Sequence, residues 1–541
     1  MTVSHEPPAP VPSPVQGSSA ISSARPRPRP SLFDIVFVIW ALVIPVGFGY
    51  RLLNSDGDLA RHLRIGEVML ERGAMLREYP FAHTVTGRPF LAFEWGSEVV
   101  YAAVHRAAGL AGIAIFGGLL LALTYALLVR FLIRQGGDPL LAYVVSMAAA
   151  VLGAAHWLAR PHLFSMFFVV VLLGLLERRG RRTLWLYLPL FIVWANLHGG
   201  FFYGCILIGL YAVGELLEGL VSGDRVAWFA RARHHGAALA LALAASLVNP
   251  HGFALLAHVG GFFGNSAILQ QTQEFMSPNF HTVNGKLFLL ALLGIVAALA
   301  FSRRQPTVPV LLVLMANLAF SLISQRNIEF FALVALPLVV LHLDPEWRAL
   351  PVLGRVKSVF QREHEGSYGG LSSAVVSVLL IVLALCGGTV AGLELVPNRF
   401  DRRAFPVAAV ERARAARLEG RLYNHFIWGG YLLYAWPEQR VFIDGGTDYY
   451  GEEVFKEYLT VWSLDPGWDE VLQKRDISLT LVPPQSRLAH ELVRDRQWSV
   501  WYCDSTAAIL RRPTMDSKAL ETASSADSAL APCGAEPTAR Q

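Results

Sequence analysis

The chain has 541 residues, of which 54% are hydrophobic and 16% are charged, and its formal net charge is +5. A composition this apolar, with a mean hydropathy of +0.43, excludes an ordinary soluble globular protein and indicates a membrane protein. The arginines lie mainly between apolar runs, where they set orientation in a membrane, so the positive charge does not indicate nucleic-acid binding.

The first 31 residues are rich in proline and serine and hold few large apolar residues. Such a segment buries too little surface to offset the entropy of ordering, and we predict a disordered cytoplasmic tail over residues 1–31. The first apolar run, 32–53, lacks the short core and small-residue cleavage site of a signal peptide, so we interpret it as a retained anchor.

Apolar stretches able to cross about 30 Å of hydrocarbon recur along residues 32–394 and predict a polytopic α-helical domain with about eleven transmembrane helices. The predicted spans are 33–53, 108–133, 139–158, 161–177, 184–198, 200–221, 236–257, 285–301, 307–323, 327–343 and 371–394. Arginine clusters fall at every second connection, which by the positive-inside rule places the N-terminus in the cytoplasm and the C-terminal region outside.

The other connections form the predicted outer face, and they are rich in polar, ionisable, glycine and proline residues. Such residues at span ends are costly in lipid unless they line a wet cavity or a site. Their sequences are NSDGDLARHL (54–63), FEWGSE (93–98), ARPHLFS (159–165), WANLHGG (194–200), VNPHGF (248–253), EFMSPNF (274–280) and SQRNIEF (324–330). Each alone could be an ordinary loop end or helix cap, but together they favour one extracytoplasmic site.

Two carboxylates, Asp56 and Asp58, flank Gly57 directly after the first span. A carboxylate near the bilayer surface can act as a general base, a metal ligand or a helix cap. Ser55 or Asp56 suits an N-cap for a helix of apolar spacing that lies flat at the interface. The cap would account for one carboxylate and leave the other open for catalysis.

Arginine and histidine residues in the same connections are candidates for phosphate binding. Arginine offers a permanently charged, planar fork for phosphate oxygens, and histidine adds a hydrogen bond or a proton. The candidates are Arg160, His162, His198, His251 and Arg326, with Glu94 as an acid that could join them. Cations beside carboxylates fit transfer of a group from a phosphate leaving group. For each histidine the alternative is a hydrogen-bonded turn residue, and we interpret Trp95 as an interfacial anchor.

Residues 395–513 have the composition of a soluble domain. Strand-like segments RLYNH, RVFID, ISLTLVP, SVWYC and AAILRR alternate with helical patterns, which predicts a small extracytoplasmic α/β domain. In the stretch 428–451, aromatic residues and Asp444 could bind a saccharide, or a packed helix could precede a glycine-rich turn. Residues 514–541 are predicted to be a disordered tail.

The cysteines and the common catalytic motifs narrow the chemistry further. Four cysteines are too few for a disulfide framework, and Cys205 and Cys386 lie in apolar runs, where we predict core positions. Cys503 and Cys533 could pair only if the tail folds back, so we predict that they do not pair. The sequence has no glycine-rich phosphate loop, CxxC pair or GxSxG elbow, which removes the common nucleotide, zinc and hydrolase interpretations.

The order of the motifs, from DGDLARHLRIGEVMLERG through RPHLFS, WANLHGG, NPHG and SQRNI to FIDGGTDYYG, resembles a group of bacterial multispanning proteins related to the GT-C glycosyltransferase superfamily. The resemblance covers nearly the whole chain between the two tails. It implies a GT-C-like fold in the bacterial plasma (inner) membrane and a polyprenyl-phosphate sugar donor reached from the outer leaflet. It also implies a glycan, lipid or protein acceptor and contact with membrane lipids, with no nucleic-acid partner.

In GT-C enzymes an acidic motif in the first external loop holds the catalytic carboxylate, and the matching positions here are Asp56 and Asp58. The resemblance implies that one of them deprotonates an acceptor hydroxyl, with inversion at the anomeric carbon. Arg160, His198 or Arg326 would then stabilise the departing lipid phosphate. Many members carry adjacent acids, whereas Gly57 separates them here, so the identity of the base and the binding of Mg²⁺ or Mn²⁺ by the pair stay open.

Two other classes of function also stay open. A transporter or flippase for a lipid-linked substrate would show internal repeats and broken helices near the bilayer centre, and the sequence shows neither. A non-catalytic membrane protein would bind a ligand through its external domain. Within the enzymes, a ligase that moves a whole glycan from a diphosphate lipid is not distinguished by sequence from a single-sugar transferase.

Overall fold

A computed structural model describes residues 30–262, 273–349, 354–364 and 370–513, together with Cys533. The predicted tails 1–31 and 514–541 lie outside the described residues, except for Pro30, Ser31 and Cys533.

Helices make up the first domain because apolar segments satisfy their backbone polar groups internally only as helices. In chain order they are α1 (Leu32–Gly47), α2 (Gly49–Asn54), α3 (Asp58–Arg72), α4 (Trp95–Arg134), α5 (Pro139–Gly153), α6 (His162–Leu176), α7 (Arg181–Leu197), α8 (Phe201–Val221), α9 (Arg225–Ser246), α10 (Phe253–Phe262), α11 (Val283–Phe301), α12 (Val308–Ile323), α13 (Gln325–Ala349), α14 (Gly354–His364) and α15 (Leu371–Leu385). Short 3-10 turns cover Ala154–His156 and Gln273–Phe275, and α13 contains a π turn over Phe331–Ala335.

Five helices of the described chain are long and apolar enough to cross a membrane: Trp95–Arg134, Pro139–His156, Phe201–Val221, Val283–Phe301 and Gln325–Ala349. Shorter apolar helices include Leu32–Gly47, His162–Leu176, Val308–Ile323 and Leu371–Leu385. The structure is thus that of a mostly helical, multi-pass membrane protein. The count of about eleven spans stays a prediction.

Three predicted spans have the wrong bounds. The first, predicted at 33–53, is interrupted at Phe48, between α1 and α2. The span predicted at 236–257 is interrupted, because α9 ends at Ser246 and Asn249 turns the chain before α10. The Asn249 amide donates to the Ser246 carbonyl at 2.6 Å and accepts from the His251 N–H at 2.7 Å, and Pro250 cannot donate to a helix. The last span, predicted to reach residue 394, ends at Leu385 and is followed by a hairpin of β1 (Thr389–Val390) and β2 (Leu393–Glu394).

The connections separate onto two ends of the helical domain. At one end, Arg348 donates to the Gly136 carbonyl at 2.7 Å, and the Arg303 N–H donates to Glu346 at 2.9 Å, so arginine-rich connections meet there. At the opposite end the polar motifs 54–63, 93–98, 159–165, 194–200, 248–253, 274–280 and 324–330 lie together, and we call this end the motif face. The membrane side to which each end faces stays a prediction.

The C-terminal domain has a four-stranded sheet in the order β3 (Leu422–Asn424), β4 (Leu479–Val482), β6 (Ala508–Arg511) and β5 (Ser499–Cys503). The β3–β4 pair is parallel and the other two pairs are antiparallel. Around the sheet lie α16 (Val407–Ala415), α17 (Gly429–Ala435), α18 (Thr447–Ser463), α19 (Trp468–Lys474) and α20 (Arg487–Arg494). An α/β domain of this kind agrees with the alternation of patterns in the sequence.

The segment RVFID, predicted to be a strand, does not join this sheet. Val441 forms an isolated parallel bridge with Ala82 of the loop that follows α3. The Asn424 side chain, rather than a neighbouring strand, pairs with the backbone of this segment. Its Oδ1 accepts from the Phe442 N–H at 2.9 Å, and its Nδ2 donates to the Ile443 carbonyl at 2.8 Å. The segment therefore joins the C-terminal domain to the first loop of the helical domain.

Two predictions about cysteines are wrong. Cys503 and Cys533 form a disulfide, so Cys533 returns to the end of β5 despite the 30 residues between them. Cys205 is buried as predicted, but Cys386 is exposed. Cys386 is the C-cap of α15, and the nearby apolar residues Val382 and Leu385 are exposed as well. The apolar residues at this end of α15 therefore face outward and do not belong to the core.

A glycine breaks α4 where the C-terminal domain contacts it. Gly109 has a φ of 62°, and the Asn398 side chain accepts a hydrogen bond from the Ala111 N–H at 2.9 Å, which caps the second half of α4. An added Cβ at Gly109 would lie 2.6 Å from Asn398 Oδ1. The break separates the part of α4 at the motif face from the predicted span that begins at 108.

We expect Gly109→Ala to lower the free energy of unfolding by about 1–2 kcal/mol, because an L-residue is disfavoured at this φ and the methyl group displaces the Asn398 cap. Gly174→Ala is the matched control, since its Cβ would meet nothing within 4 Å inside α6. Thermal unfolding in detergent measures both variants. Equal stability of the two would contradict the role assigned to Gly109.

Candidate active site

The loop between α2 and α3 places two carboxylates at the motif face. Gly57 is the N-cap of α3, and Asp58 is the first helical residue, so neither Ser55 nor Asp56 is the N-cap as the sequence suggested. Asp56 Oδ1 instead accepts from the Asp58 N–H at 2.9 Å, which stabilises the turn that leads into the helix. The apolar face of α3 is buried, as predicted from its spacing.

Arg160 holds these carboxylates together. Its Nε and Nη2 donate to Asp56 Oδ2 at 2.9 and 2.5 Å, and its Nη1 lies 3.3 Å from Asp58 Oδ2. The Arg160 side chain is only 15% exposed, so solvent weakens these interactions little. The sequence candidate for phosphate binding is therefore the cation that positions the acid pair.

A third carboxylate, Glu274, joins the same guanidinium. Arg160 Nη1 donates to Glu274 Oε1 at 2.9 Å, and Arg326 Nη1 lies 3.9 Å from Glu274 Oε2. Burial alone would raise the pKa of Glu274, but Arg160 and Arg326 lower it to about 2. We call Asp56, Asp58, Arg160, Glu274 and Arg326 the acid cluster.

Glu274 was not among the candidates predicted from the sequence, although it begins the motif EFMSPNF. Nothing in the local pattern distinguishes this glutamate from an ordinary loop acid, because Arg160, its partner, lies 114 residues away. The available signal was a carboxylate in a connection that already belonged to the predicted outer face.

The two loop carboxylates differ in how fully they are engaged. Both oxygens of Asp56 accept hydrogen bonds, one set from Arg160 and one from the Asp58 backbone. Burial raises the pKa of Asp56, Arg160 opposes this, and the neighbouring Asp58 adds to it. Asp58 has ion pairs to Arg160 and, at 3.9 Å, to Arg61, but its carboxylate accepts no hydrogen bond from the described residues. Asp58 is thus the acid with lone pairs left for a ligand.

Glycines of the C-terminal domain cover the acid loop at very short range. A Cβ added at Gly445 would lie 1.9 Å from Asp58 Oδ1, and one at Gly430 would lie 2.1 Å from the Gly57 carbonyl oxygen. A Cβ at Gly57 would itself meet the Ile427 carbonyl oxygen at 2.2 Å. Only glycine allows the backbones to approach this closely, so WGGYL and IDGG act as a close-packed cover over the carboxylates.

Asp444, next to Gly445, is a packing residue whose carboxylate oxygens are both engaged by the protein. It is fully buried, and its Oδ2 accepts from the hydroxyls of Tyr79 and Tyr450 at 2.6 and 2.7 Å. Its Oδ1 accepts from the Tyr449 hydroxyl at 3.0 Å and the Gly446 N–H at 2.9 Å. With both oxygens occupied, the carboxylate ties the first loop, which carries Tyr79, to the C-terminal domain.

A second polar network lies beside the acid cluster. His198 Nε2 lies 3.5 Å from Glu94 Oε1, and His62 Nδ1 lies 3.1 Å from Glu98 Oε1. The Gly200 N–H donates to His198 Nδ1 at 2.9 Å, which leaves the Nε2 proton of a neutral ring directed toward Glu94. Burial and the adjacent Arg61 keep the pKa of His62 well below its usual value. The network holds FEWGSE against NLHGG.

The remaining sequence candidates have structural partners. His162 is buried and donates from Nε2 to the His156 carbonyl at 2.7 Å, which fixes the turn at the end of α5. His251 contacts the Ala92 carbonyl at 3.3 Å, away from the acid cluster. Trp95 donates to Asn196 at 2.9 Å, so it joins two motifs and is more than an interfacial anchor.

The acid cluster does not fit Mg²⁺ or Mn²⁺ in this arrangement. Oxygen ligands are the right type for these ions. Within residues 30–262, 273–349, 354–364 and 370–513, however, no group of three or more His, Cys, Asp or Glu side chains is arranged to hold a metal ion. The Arg160 guanidinium lies among the three carboxylates, where a metal ion would need to bind. We therefore derive no chemical step from a metal.

The low pKa of Glu274 predicts a pH-dependent stability. A lowered folded-state pKa contributes stability that is present above the ordinary value of 4.5 and is lost as the pH falls toward about 2. Between these values we expect the wild type to lose up to about 3 kcal/mol more than Glu274→Gln does. Thermal unfolding against pH measures this, with Glu71→Gln, an exposed acid, as control. If the stability of the wild type and of Glu274→Gln fell in parallel with decreasing pH, the pairing of Glu274 with Arg160 and Arg326 would be contradicted.

The contact of Gly445 with Asp58 predicts coupling between the two positions. We expect Gly445→Ala to cost about 1–3 kcal/mol, because the methyl group overlaps the Asp58 carboxylate. In an Asp58→Ala background the same change should cost much less, since the overlapping atom is gone. A double-mutant cycle by thermal unfolding measures the difference, and strictly additive costs would rule out the contact.

Comparisons with known proteins support the architecture. No family model and no curated protein matches the chain. Among solved structures, the oligosaccharyltransferase AglB from Archaeoglobus fulgidus, in complex with an inhibitory peptide and a dolichol-phosphate, matches with a TM-score of 0.53 at 13% identity, over 86% of this chain and 70% of that one. Its apo form matches with a TM-score of 0.53 at 12% identity, over 90% and 74% of the two chains.

ArnT from Cupriavidus metallidurans in the apo state matches with a TM-score of 0.47 at 15% identity, over 88% of this chain and 97% of that one. The likeness to AglB concerns the fold, because so few residues are identical. It shows a fold like that of AglB, in agreement with the fold that the motif order predicted.

Proposed function

We propose that the protein is an inverting membrane glycosyltransferase that moves a sugar from a polyprenyl-phosphate donor to an extracytoplasmic acceptor. The observation that carries the proposal is the acid cluster, in which one guanidinium holds three carboxylates from two separate connections at one end of a GT-C-like fold. AglB, which shares the fold, is a transferase solved with a dolichol-phosphate. A lipid phosphate of this kind is the donor chemistry that we assign to this chain.

The geometry favours Asp58 as the general base and Asp56 as a positioning residue. A base needs a free lone pair within reach of the acceptor hydroxyl, and the Asp58 carboxylate accepts no hydrogen bond from the described residues. Asp56 has both oxygens engaged and orients Arg160 and the turn before Asp58. The difference in hydrogen bonding between the two acids is what supports this assignment.

The reaction follows from these positions. Asp58 takes the proton of the acceptor hydroxyl while the hydroxyl oxygen forms a bond to the anomeric carbon. The bond from that carbon to the phosphate oxygen breaks on the opposite side, so the configuration inverts. The lipid phosphate leaves with the electron pair of the broken bond.

Arg326 is the cation best suited to receive the departing phosphate. Its side chain is 34% exposed, and its ion pair to Glu274 is long, at 3.9 Å. Arg160 is already saturated by three carboxylates, and the neutral His198 ring is directed toward Glu94. Of the three cations that the sequence nominated, Arg326 therefore has the most capacity for a phosphate oxygen.

Donor turnover by the purified protein in lipid nanodiscs tests the proposal. The assay measures release of free polyprenyl phosphate from a panel of polyprenyl-phosphate sugars, with an envelope extract supplying acceptors. We expect Asp58→Asn to lower turnover by about 10²–10⁴-fold, because a proton acceptor is lost. We expect Asp56→Asn to lower it less, and Glu71→Gln, an exposed acid of α3, to leave it unchanged.

The outcomes separate the rival functions. Full turnover by a folded Asp58→Asn protein would show that Asp58 is not the base. A wild-type protein that moves a fluorescent lipid-linked sugar between leaflets without releasing lipid phosphate would be a flippase. A protein that binds the donor but neither cleaves nor moves it would be a non-catalytic binding protein.

A further inference from the structure

Helix α13 carries a buried acid that the acid cluster does not use. Glu329 is 1% exposed, and its Oε2 has no hydrogen-bond partner among the described residues. An ionisable side chain inside a membrane helix is costly and marks a functional site more often than a packing position. The π turn Phe331–Ala335 begins two residues later, and such turns are frequent at functional sites.

The position of Glu329 places it next to the acid cluster. It follows Arg326 by three residues, and residues at this spacing lie on the same side of a helix. Arg326 contacts Glu274 and lies over the Phe275 ring at 5.4 Å, so this side of α13 faces the cluster. Glu329 is also within electrostatic range of both Arg326 and Glu274.

A second buried polar atom without a partner lies at the same end of the molecule. His156 Nδ1 has no hydrogen-bond partner among the described residues, although the His156 carbonyl is held by His162. The next residue, Trp157, donates to the Tyr125 hydroxyl at 3.1 Å, and Glu329 is within electrostatic range of Tyr125. The Ile328–Phe330 segment packs on α5, and the 3-10 turn that directly follows α5 ends at His156.

Unsatisfied buried polar atoms require a partner, and the chemistry of these two restricts its nature. A carboxyl oxygen and an imidazole nitrogen can each donate or accept, according to protonation. A hydroxyl group does both, so it satisfies each atom in either state. A sugar ring carries several hydroxyls, each able to pair with one such atom.

We propose that Glu329 and His156 form a hydroxyl-binding subsite for the sugar ring of the donor, beside the phosphate site at Arg326. This inference rests on the proposed function, and it assigns sugar recognition to α13 and the end of α5. A polar site built to bind hydroxyls rejects a ligand that lacks them, because its own groups are then left unpaired.

Binding measurements on the full-length protein in nanodiscs test the subsite. The probes are undecaprenyl phosphate and a panel of undecaprenyl-phosphate hexoses and pentoses. We expect Glu329→Met to weaken binding of the preferred sugar-bearing lipid by about tenfold or more and to leave undecaprenyl phosphate unchanged. His156→Phe should give the same selective loss, and Glu329→Gln, which retains hydrogen-bonding atoms, a smaller one.

Glu215→Gln is the matched control. Glu215 is also a buried helix carboxylate, but it already has a partner, His235, at 2.6 Å. We expect this variant to bind both lipids as the wild type does, whatever its effect on thermal stability.

Each other outcome overturns the subsite. Unchanged binding of both lipids by folded Glu329→Met and His156→Phe proteins would show that no sugar contacts these residues. Equal losses for both lipids would assign them to the phosphate or to packing. A wild-type protein that binds undecaprenyl phosphate with no preference for any sugar would remove the subsite alone, whereas one that binds neither lipid would also contradict the proposed function.

Discussion

The arrangement of the motif face depends on one interaction, the contact of the Arg160 guanidinium with Asp56, Asp58 and Glu274. Three partly buried carboxylates at this distance would repel one another and lose part of their hydration, so they stay together around a cation. Arginine suits this role because its donors point in fixed directions and its charge is permanent. Through it, the loop after α2, the turn before α6 and the segment before α11 are held at one point.

The C-terminal domain completes this arrangement by close packing. Its glycines meet the acid loop at distances that exclude any side chain, and Asp444 joins Tyr79 of the first loop to Tyr449 and Tyr450. The domain therefore limits access to Asp58 as well as supporting it. In the proposed reaction, an acceptor would approach Asp58 from a direction that this cover leaves open.

The cations of the motif face show that side chains of the same type differ in how many partners the fold gives them. Arg160 and Arg326 both looked suitable for a phosphate, but Arg160 has three acidic partners and Arg326 has one distant partner. His162 and His198 are similarly committed, to a backbone carbonyl and to a network with Ser165 and Glu94. A residue type suitable for a ligand is available to it only when the fold leaves its polar atoms unpaired.

The sequence by itself determined the membrane class, most helices, the α/β character of the C-terminal domain and the gathering of polar motifs at one end. These features follow from hydropathy and local periodicity, which depend only on the residues within one short segment. The motif order also indicated the GT-C-like fold. Helix ends were less accurate where side-chain hydrogen bonds, as at Asn249, ended a helix inside an apolar run.

Only the tertiary structure decided which polar residues meet. Glu274 has no local signal, and its partner Arg160 lies 114 residues away, so no pattern in the chain connects them. The same holds for Asp444. Its aromatic neighbours in the sequence suggested a sugar site, but in the structure three tyrosine hydroxyls donate hydrogen bonds to its carboxylate. Hydrogen bonding and burial depend on contacts between distant segments, and the sequence specifies these contacts only through the complete fold.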